Sequence, residues 1–404
     1  MALEQSVLGR TVLSTAGMAV QGLVRFAYTI AIGRLAGPAA LADTSALLSV
    51  SVYLALLLPA GLGITASRYL PDPAMAGAAL RLLRRWFHIS SLVLAIGAVP
   101  LSYLIVHSLP AALSCGALVY AYNAYVFSRG VLMGEDRILR SAVADLVSSL
   151  VAITALVAVL LWGAHWALLL PIALGYLLFA FTARATTTPA DAVAADTRST
   201  IARFLRDASI GALATGGLLP ATMIFVRAFD TPEHAGLFAA ALSLATPANL
   251  VAQAVNQVLI PHFARLGGDD AALVTSHRKL LLATTALFAA VFGTIILLSP
   301  WILSLFYGKD FSDGATAMQV LLGIVFLIST TSASAAFLVA CGRQRSFATI
   351  WVVALILGTG IMVLASPALG MLGALLGFAV GGGGGSLAII AVALAVRKDS
   401  LARP

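Results

Sequence analysis

The sequence predicts an all-α fold: a polytopic transmembrane bundle of about twelve helices in two six-helix lobes. Composition is the first observation. Hydrophobic residues fill 61% of the 404 positions and charged residues only 10%, with a mean hydropathy of +1.01. The second is how the apolar residues are grouped. A helix crossing the ~30 Å hydrocarbon core needs roughly 20 of them in a row. Twelve such spans use about 250 residues and leave ~150 for loops and ends, in pieces too small for a soluble catalytic domain. The third is the distribution of basic residues, which alternates from loop to loop.

Apolar runs bounded by charge or turn residues place the spans at 11–33, 41–63, 88–107, 111–134, 141–162, 164–183, 208–227, 235–259, 280–300, 315–339, 346–366 and 368–396. The first run, Thr11 to Gly33, is too long for the apolar core of a cleavable signal and lacks a suitably placed small-residue cleavage site, so it reads as a membrane helix. After the sixth span comes the longest polar interruption, Arg184 to Asp207, ending in the amphipathic piece IARFLRD. The expected organisation is therefore a first lobe at 1–183, a linker at 184–207 and a second lobe at 208–404. Pro59, Pro171, Pro220 and Pro247 fall inside spans, where each frees a carbonyl and permits a kink. The run Gly381 to Gly385 is flanked by apolar residues, which predicts a closely packed or distorted stretch of span twelve rather than a linker.

Twenty of the 24 Lys and Arg residues lie on the N-terminal side of this layout. Arg34, Arg227 and Lys309 lie opposite, and Arg25 is inside the first span. By the positive-inside rule both termini are cytoplasmic. A weak internal repeat accompanies this pattern: Arg34 matches Arg227, Arg68 matches Arg265, and GEDR after span four matches CGRQR after span ten. Both halves start on the same side, which implies a parallel repeat about an axis along the membrane normal.

Other classes are excluded on chemical grounds. The pI near 9.9 does not indicate nucleic acid, because the basic residues occupy short loops rather than one solvated face. Cys115 and Cys341 lie in or beside apolar runs and read as buried thiols. No phosphate-binding Gly-rich loop, no metal-ligand spacing among the six histidines and no nucleophile–base arrangement is present, so neither catalysis, a metal nor a cofactor is expected.

The costly residue is Arg25, since a charge at the bilayer centre costs ~2.5–3.5 kcal/mol even on the mildest scale. Ser14, Gln21, Arg25 and Thr29 are spaced to share one helix face, which should then meet a wet cavity. An arginine there offers planar, permanent donors for phosphate or carboxylate. Snorkelling, or a bond to a helix carbonyl, is the blander reading. Thr246, Asn249, Gln253 and Asn256 form a second stripe in span eight, suited to sugar hydroxyls or to gluing helices together. Asn123 would line the same cavity or simply pack. Asp145 reads first as an ion pair with nearby Arg140, and alternatively as an ion-coupling site. Asp43 and Asp230 fall near the opposite surface, where solvation accounts for them. Arg68, Arg84, Arg85 and Arg265 belong to basic loops that would gate the cavity or attract anionic head groups, although topology alone also produces such loops.

Across almost its whole length the chain resembles bacterial polysaccharide flippases of the multidrug/oligosaccharidyl-lipid/polysaccharide exporter superfamily. The resemblance rests on IGRLAGPAALADTSALL, GLGITASRYL, HAGLFAAALSLATPANLVAQAVNQVLIPHFARL and LFYGKDFSDGATAMQVL. It implies a transporter in the bacterial cytoplasmic membrane that moves an undecaprenyl-pyrophosphate-linked oligosaccharide to the outer leaflet. In that picture Arg25 meets the diphosphate, Asn249, Gln253, Asn256 and Asn123 meet sugar, and Gln21 lines the same central cavity. Membrane lipids, and a polysaccharide polymerase or glycosyltransferases, are the expected partners. Two rivals stand beside it: a drug/cation antiporter of the same superfamily, and a non-transporting scaffold of a polysaccharide machine.

Overall fold

The computed structural model describes residues 7–183, 185–189, 193–266 and 270–396. Within those segments the side chains at 7–16, 18–19, 246–254, 256–258, 260–261, 264–265 and 270 are not described. Every regular element among the described residues is helical.

The chain begins with α1 (Val7–Leu57), which holds expected spans one and two. They are divided at Gly37, whose φ of 84° lies where only glycine is comfortable, with Pro38 restarting the helix. After a break at Leu58, α2 (Pro59–Tyr69) carries the second span to its end. Asp72 caps α3 (Pro73–Val106), accepting from the Ala74 N–H at 3.0 Å, and His107 in the left-handed region ends it. Next come α4 (Leu109–Gly134), α5 (Ile138–Leu161) and, after a 3-10 turn at His165–Ala167, α6 (Leu170–Thr182). The expected seventh span is a pair, α7 (Ala195–Gly216) and α8 (Leu218–Phe229), bent by 57°. Then follow α9 (Pro232–Arg265), α10 (Asp270–Leu297), α11 (Ser299–Tyr307), α12 (Ala315–Ala340) and α13 (Gln344–Leu369). Span twelve consists of α14 (Met371–Phe378), a π-helical stretch at Ala379–Gly384, and α15 (Gly385–Ala395).

By length and hydropathy, eight described helices suffice to cross a membrane, or nine with the bent pair counted as one span. Dividing α1 at Gly37 and adding α4 and α9 accounts for the twelve expected spans. The linker differs from expectation. IARFLRD is not a separate amphipathic piece but an inner stretch of α7, which starts six residues earlier at Ala195, and Ile201 and Leu205 are buried in a core with Leu62, Leu80, Leu83, Phe87 and Phe127.

Packing divides the chain into two compact units, Met1–Ala228 and Phe229–Pro404, so span seven is grouped with the first unit. In the first unit, small residues let helices approach closely. A Cβ on Gly130 of α4 would lie 2.2 Å from the Gly63 carbonyl oxygen of α2. In the second unit the buried core of α12 includes Phe337, stacked on His277 of α10 at 4.3 Å between ring centroids. The glycine run of span twelve does form a distorted stretch: it widens into the π-helix, with Gly381, Gly382 and Gly383 buried.

Two turns share one pattern. After α4, Arg137 N–H reaches Leu132 O at 2.8 Å and Asp136 takes a φ of 56°. After α12, Arg343 N–H reaches Leu338 O at 2.8 Å and Gly342 takes a φ of 70°. These are the sequences GEDR and CGRQR paired above.

Candidate functional site

The described part of the first span's polar stripe, Gln21, Arg25 and Thr29, faces the interior of the first unit. Gln21 Nε2 donates to the Asp145 carbonyl oxygen at 3.3 Å and to Ser148 Oγ at 3.2 Å, both on α5. One turn on, the Arg25 guanidinium carbon lies 5.4 Å from the Tyr122 ring centroid on α4, within the range of a cation–π contact. Thr29 turns back to its own helix, donating to the Phe26 carbonyl oxygen at 2.8 Å. Gln21, Arg25 and Tyr122 are all partly exposed.

Tyr122 belongs to an aromatic group. It lies 6.0 Å from Tyr125 and 5.2 Å from Tyr176 of α6, and those two are 4.9 Å apart. Tyr122, Tyr125 and Arg129 recur at three- and four-residue spacing, so α4 shows them on one face. Beside the rings is an ion pair. Arg129 donates to Asp145 Oδ2 at 2.5 Å and to the Tyr125 hydroxyl at 2.9 Å, and that hydroxyl donates to Asp145 Oδ1 at 3.1 Å. The Asp145 side chain is fully buried. Gly17 makes room for it, because a Cβ there would fall 2.8 Å from Asp145 Oδ2.

Asp145 was expected to pair with Arg140. Instead Arg140 Nε donates to the Thr182 carbonyl oxygen at 2.9 Å, and Arg129, one helix away, neutralises the acid. Arg25 differs from Arg129: among the described residues no carboxylate pairs with it. The cluster therefore holds one balanced ion pair and one cation set against a tyrosine ring.

The other expected site residues are dispersed or undescribed. Asn123 stands one residue off the tyrosine face, fully buried, and among the described residues neither of its amide atoms has a hydrogen-bond partner. The structure does not show it in contact with Arg25. Thr246, Asn249, Gln253, Asn256 and Arg265 lie outside the described side chains, as does Ser14. Arg68 sits over the rings of Tyr69 and Phe204, at 5.9 and 5.3 Å. Arg84 is partly buried and Arg85 exposed on α3.

Asp43 and Asp230 do more than meet solvent. Arg227 Nε donates to Asp43 Oδ1 at 2.6 Å. Asp230 accepts from the Met371 and Thr231 N–H groups at 2.8 Å each and meets His234 Nδ1 at 3.0 Å. Burial opposes ionisation of Asp230, yet these N–H donors and His234 hold its carboxyl below the usual range. Among the described residues no group of three or more His, Cys, Asp or Glu is placed to hold a metal ion.

No protein-family model matches the chain, and no curated protein matches its sequence. Solved structures do share its fold. An inward-facing multidrug resistance MATE family transporter of the MOP superfamily superposes with a TM-score of 0.78 at 15% identity, over 96% of this chain and 98% of that one. The lipid II flippase MurJ, in an inward closed conformation, gives 0.73 at 12% identity, over 96% of this chain and 89% of that one. A MOP superfamily transporter from Pyrococcus furiosus, described as having a binding pocket of reverse polarity, gives 0.64 at 16% identity, over 97% and 95%. At such identities the likeness establishes the architecture: a multi-pass membrane bundle of the kind these transporters use.

Proposed function

We propose that this protein is a transporter of the bacterial cytoplasmic membrane that flips a polyprenyl-pyrophosphate-linked oligosaccharide from the cytoplasmic to the outer leaflet, by alternating access of two lobes. The observation that carries the reading is Arg25. A permanent cation, partly exposed, sits at mid-span on the Tyr122 ring, while the neighbouring acid, Asp145, is already matched by Arg129. The surplus is positive, which favours an anionic cargo and opposes a cationic drug. A diphosphate crossing the bilayer meets a large electrostatic barrier, and a cation at depth lowers it. In this scheme Gln21 lines the cavity beside Arg25, the amides Asn249, Gln253 and Asn256 serve the sugar, and Arg68, Arg84, Arg85 and Arg265, which lie within α2, α3 and α9 rather than in the loops expected from the sequence, face the cytoplasm together with both termini. A polymerase or glycosyltransferases would act before or after the flipping step.

The test is the amount and leaflet of lipid-linked oligosaccharide in cells lacking the gene, read beside surface polysaccharide. Accumulation in the inner leaflet with loss of surface glycan is expected, and complementation by Arg25→Ala should fail at normal expression. Unchanged intermediates in a strain without a second flippase would overturn the reading.

A drug/cation antiporter is the second reading, favoured by the fully buried Asp145 carboxylate within the MATE-type fold. It predicts drug efflux in a sensitive host that is abolished by Asp145→Asn and indifferent to Arg25→Ala.

A further inference from the structure

We infer that a groove on the first unit, walled by α3, α7 and the break between α1 and α2, holds the polyprenyl chain of the lipid-linked substrate, with the attached phosphate near Arg206 and Arg85. The inference rests on the function proposed above and adds to it the place where the chain rides.

The groove has a volume of about 460 Å³, within the ~300–1,000 Å³ typical of small-ligand pockets. Its walls are apolar: Leu57 and Leu58 at the break between α1 and α2, Trp86 of α3, and Leu205, Ile210 and Leu213 of α7. Ser209 also lines it, buried and with its hydroxyl unpartnered among the described residues. A Cβ at Gly61 would fall 2.0 Å from Ser209 Oγ, so glycine is what lets α7 lie against α2 and complete the wall.

Charge sets the direction in which a ligand would lie. Arg206 and Asp207 are the last charged residues of α7, and from Ala208 to Gly216 none follows. Arg85 is the last charged residue of α3, and the next position is Trp86 in the groove wall. As odd-numbered spans, the two helices enter the bilayer from the same side, so these charge steps bracket the mouth of the groove. Arg206 lines the groove, Arg85 directly precedes Trp86 of its wall, and both are exposed. The bond from Arg206 to neighbouring Asp207 joins two exposed side chains, too weak a pair to withhold the guanidinium from a phosphate. From Arg206 to Leu213 the groove descends about 10 Å along α7 at 1.5 Å per residue. Cations at the mouth and hydrocarbon walls below match a phosphate joined to an apolar chain.

Substrate chemistry selects the occupant. Each CH₂ of a polyprenyl chain favours hydrocarbon over water, so the chain stays in the bilayer while its head group enters a polar path. A groove on the same unit as Arg25 keeps the chain attached to the protein during that passage.

The experiment uses the full chain in nanodiscs of zwitterionic lipid and a polyprenyl diphosphate carrying a diazirine on its chain, with labelled residues mapped by mass spectrometry. Labelling at Trp86, Ile210 or Leu213 is expected. Leu213→Trp should abolish it, and Arg206→Ala with Arg85→Ala should reduce it several-fold. Excess phosphatidylglycerol should leave the wild-type label in place. Labelling confined to other residues overturns the assignment, and so does full competition by phosphatidylglycerol, which would make the groove an ordinary phospholipid site. The wild-type mapping and competition decide the matter even if Leu213→Trp fails to fold. Normal flipping in cells with no groove label would overturn the groove while leaving the transport reading intact.

Discussion

Glu135, in the turn after α4, holds the linker that leads to α7. Its two carboxylate oxygens accept from the Thr186 N–H at 2.8 and 3.1 Å and from the Thr187 N–H at 2.9 Å. They also accept from the two threonine hydroxyls at 3.0 and 2.8 Å and from Arg137 at 3.1 Å. Burial alone would raise this carboxyl, but the Thr187 and Thr186 N–H groups, the Thr187 hydroxyl and Arg137 bring it from 4.5 down to about 2. The side chain is only 4% exposed. A shift of that size corresponds to about 3 kcal/mol favouring the clamped linker, at 1.36 kcal/mol per unit. Because the folded value is the lower one, this stabilisation is complete above pH 4.5 and disappears as pH falls through about 2. Glu135→Ala should therefore open the 185–189 segment without unfolding the bundle. The assay is amide hydrogen exchange at Thr186 and Thr187 in detergent, variant against wild type at one neutral pH. About 3 kcal/mol translates to roughly 100-fold faster exchange. Glu135→Gln, which loses the charge and turns one donor toward the N–H groups, should fall between. Equal exchange in wild type and Glu135→Ala would refute the reasoning.

Three further outcomes follow from packing and charge. Arg129→Met leaves Asp145 buried without its cation and should cost ~3–5 kcal/mol, read as a lowered melting temperature in detergent; adding Asp145→Leu should recover most of the loss, whereas no recovery would mean the pair is not what holds α4 to α5. Gly130→Ala places a methyl against the Gly63 carbonyl and should destabilise by ~1–3 kcal/mol, so an unchanged melting temperature would contradict the close α2–α4 contact. In span twelve, Gly385→Ala meets the Ala354 methyl at 2.8 Å and should destabilise, while Gly384→Ala enters open space and should be neutral or stabilising by up to ~1 kcal/mol; the reverse order would show that the wide turn is misplaced.

The twelve spans and most of their bounds were legible because an apolar run of sufficient length has few alternatives in a membrane. Gln21 and Arg25 were legible as one face through helical spacing, and the glycine run as a distorted stretch through its apolar flanks. Tyr122, Tyr125 and Tyr176 were not, since aromatic residues in an apolar span look like ordinary packing; a tyrosine–tyrosine–arginine spacing on one face of span four was the signal available. In the sequence Arg129 reads as one more basic residue on the N-terminal side, because proximity points Asp145 toward Arg140. Pairing across helices is a tertiary fact, and no local pattern announces it. The end of the linker is illegible for a related reason: IARFLRD is polar on one side, and only the packing of Ile201 and Leu205 shows that its other side is core.

The π-helical turn at Ala379–Gly384 bears on how this chain tolerates change in length. In a regular helix, removing one residue rotates everything beyond it by about 100°, so that a face built for a neighbour turns toward lipid. A π turn already accommodates one residue more than an α turn, and it lies between two anchored ends: Gly377 against Met362, and Gly385 against Ala354. Losing one glycine from the stretch would return it to α geometry and leave both anchors facing α13. Span twelve is thus the one described helix with slack built into its register, a place where a single-codon deletion can pass through without unthreading the span.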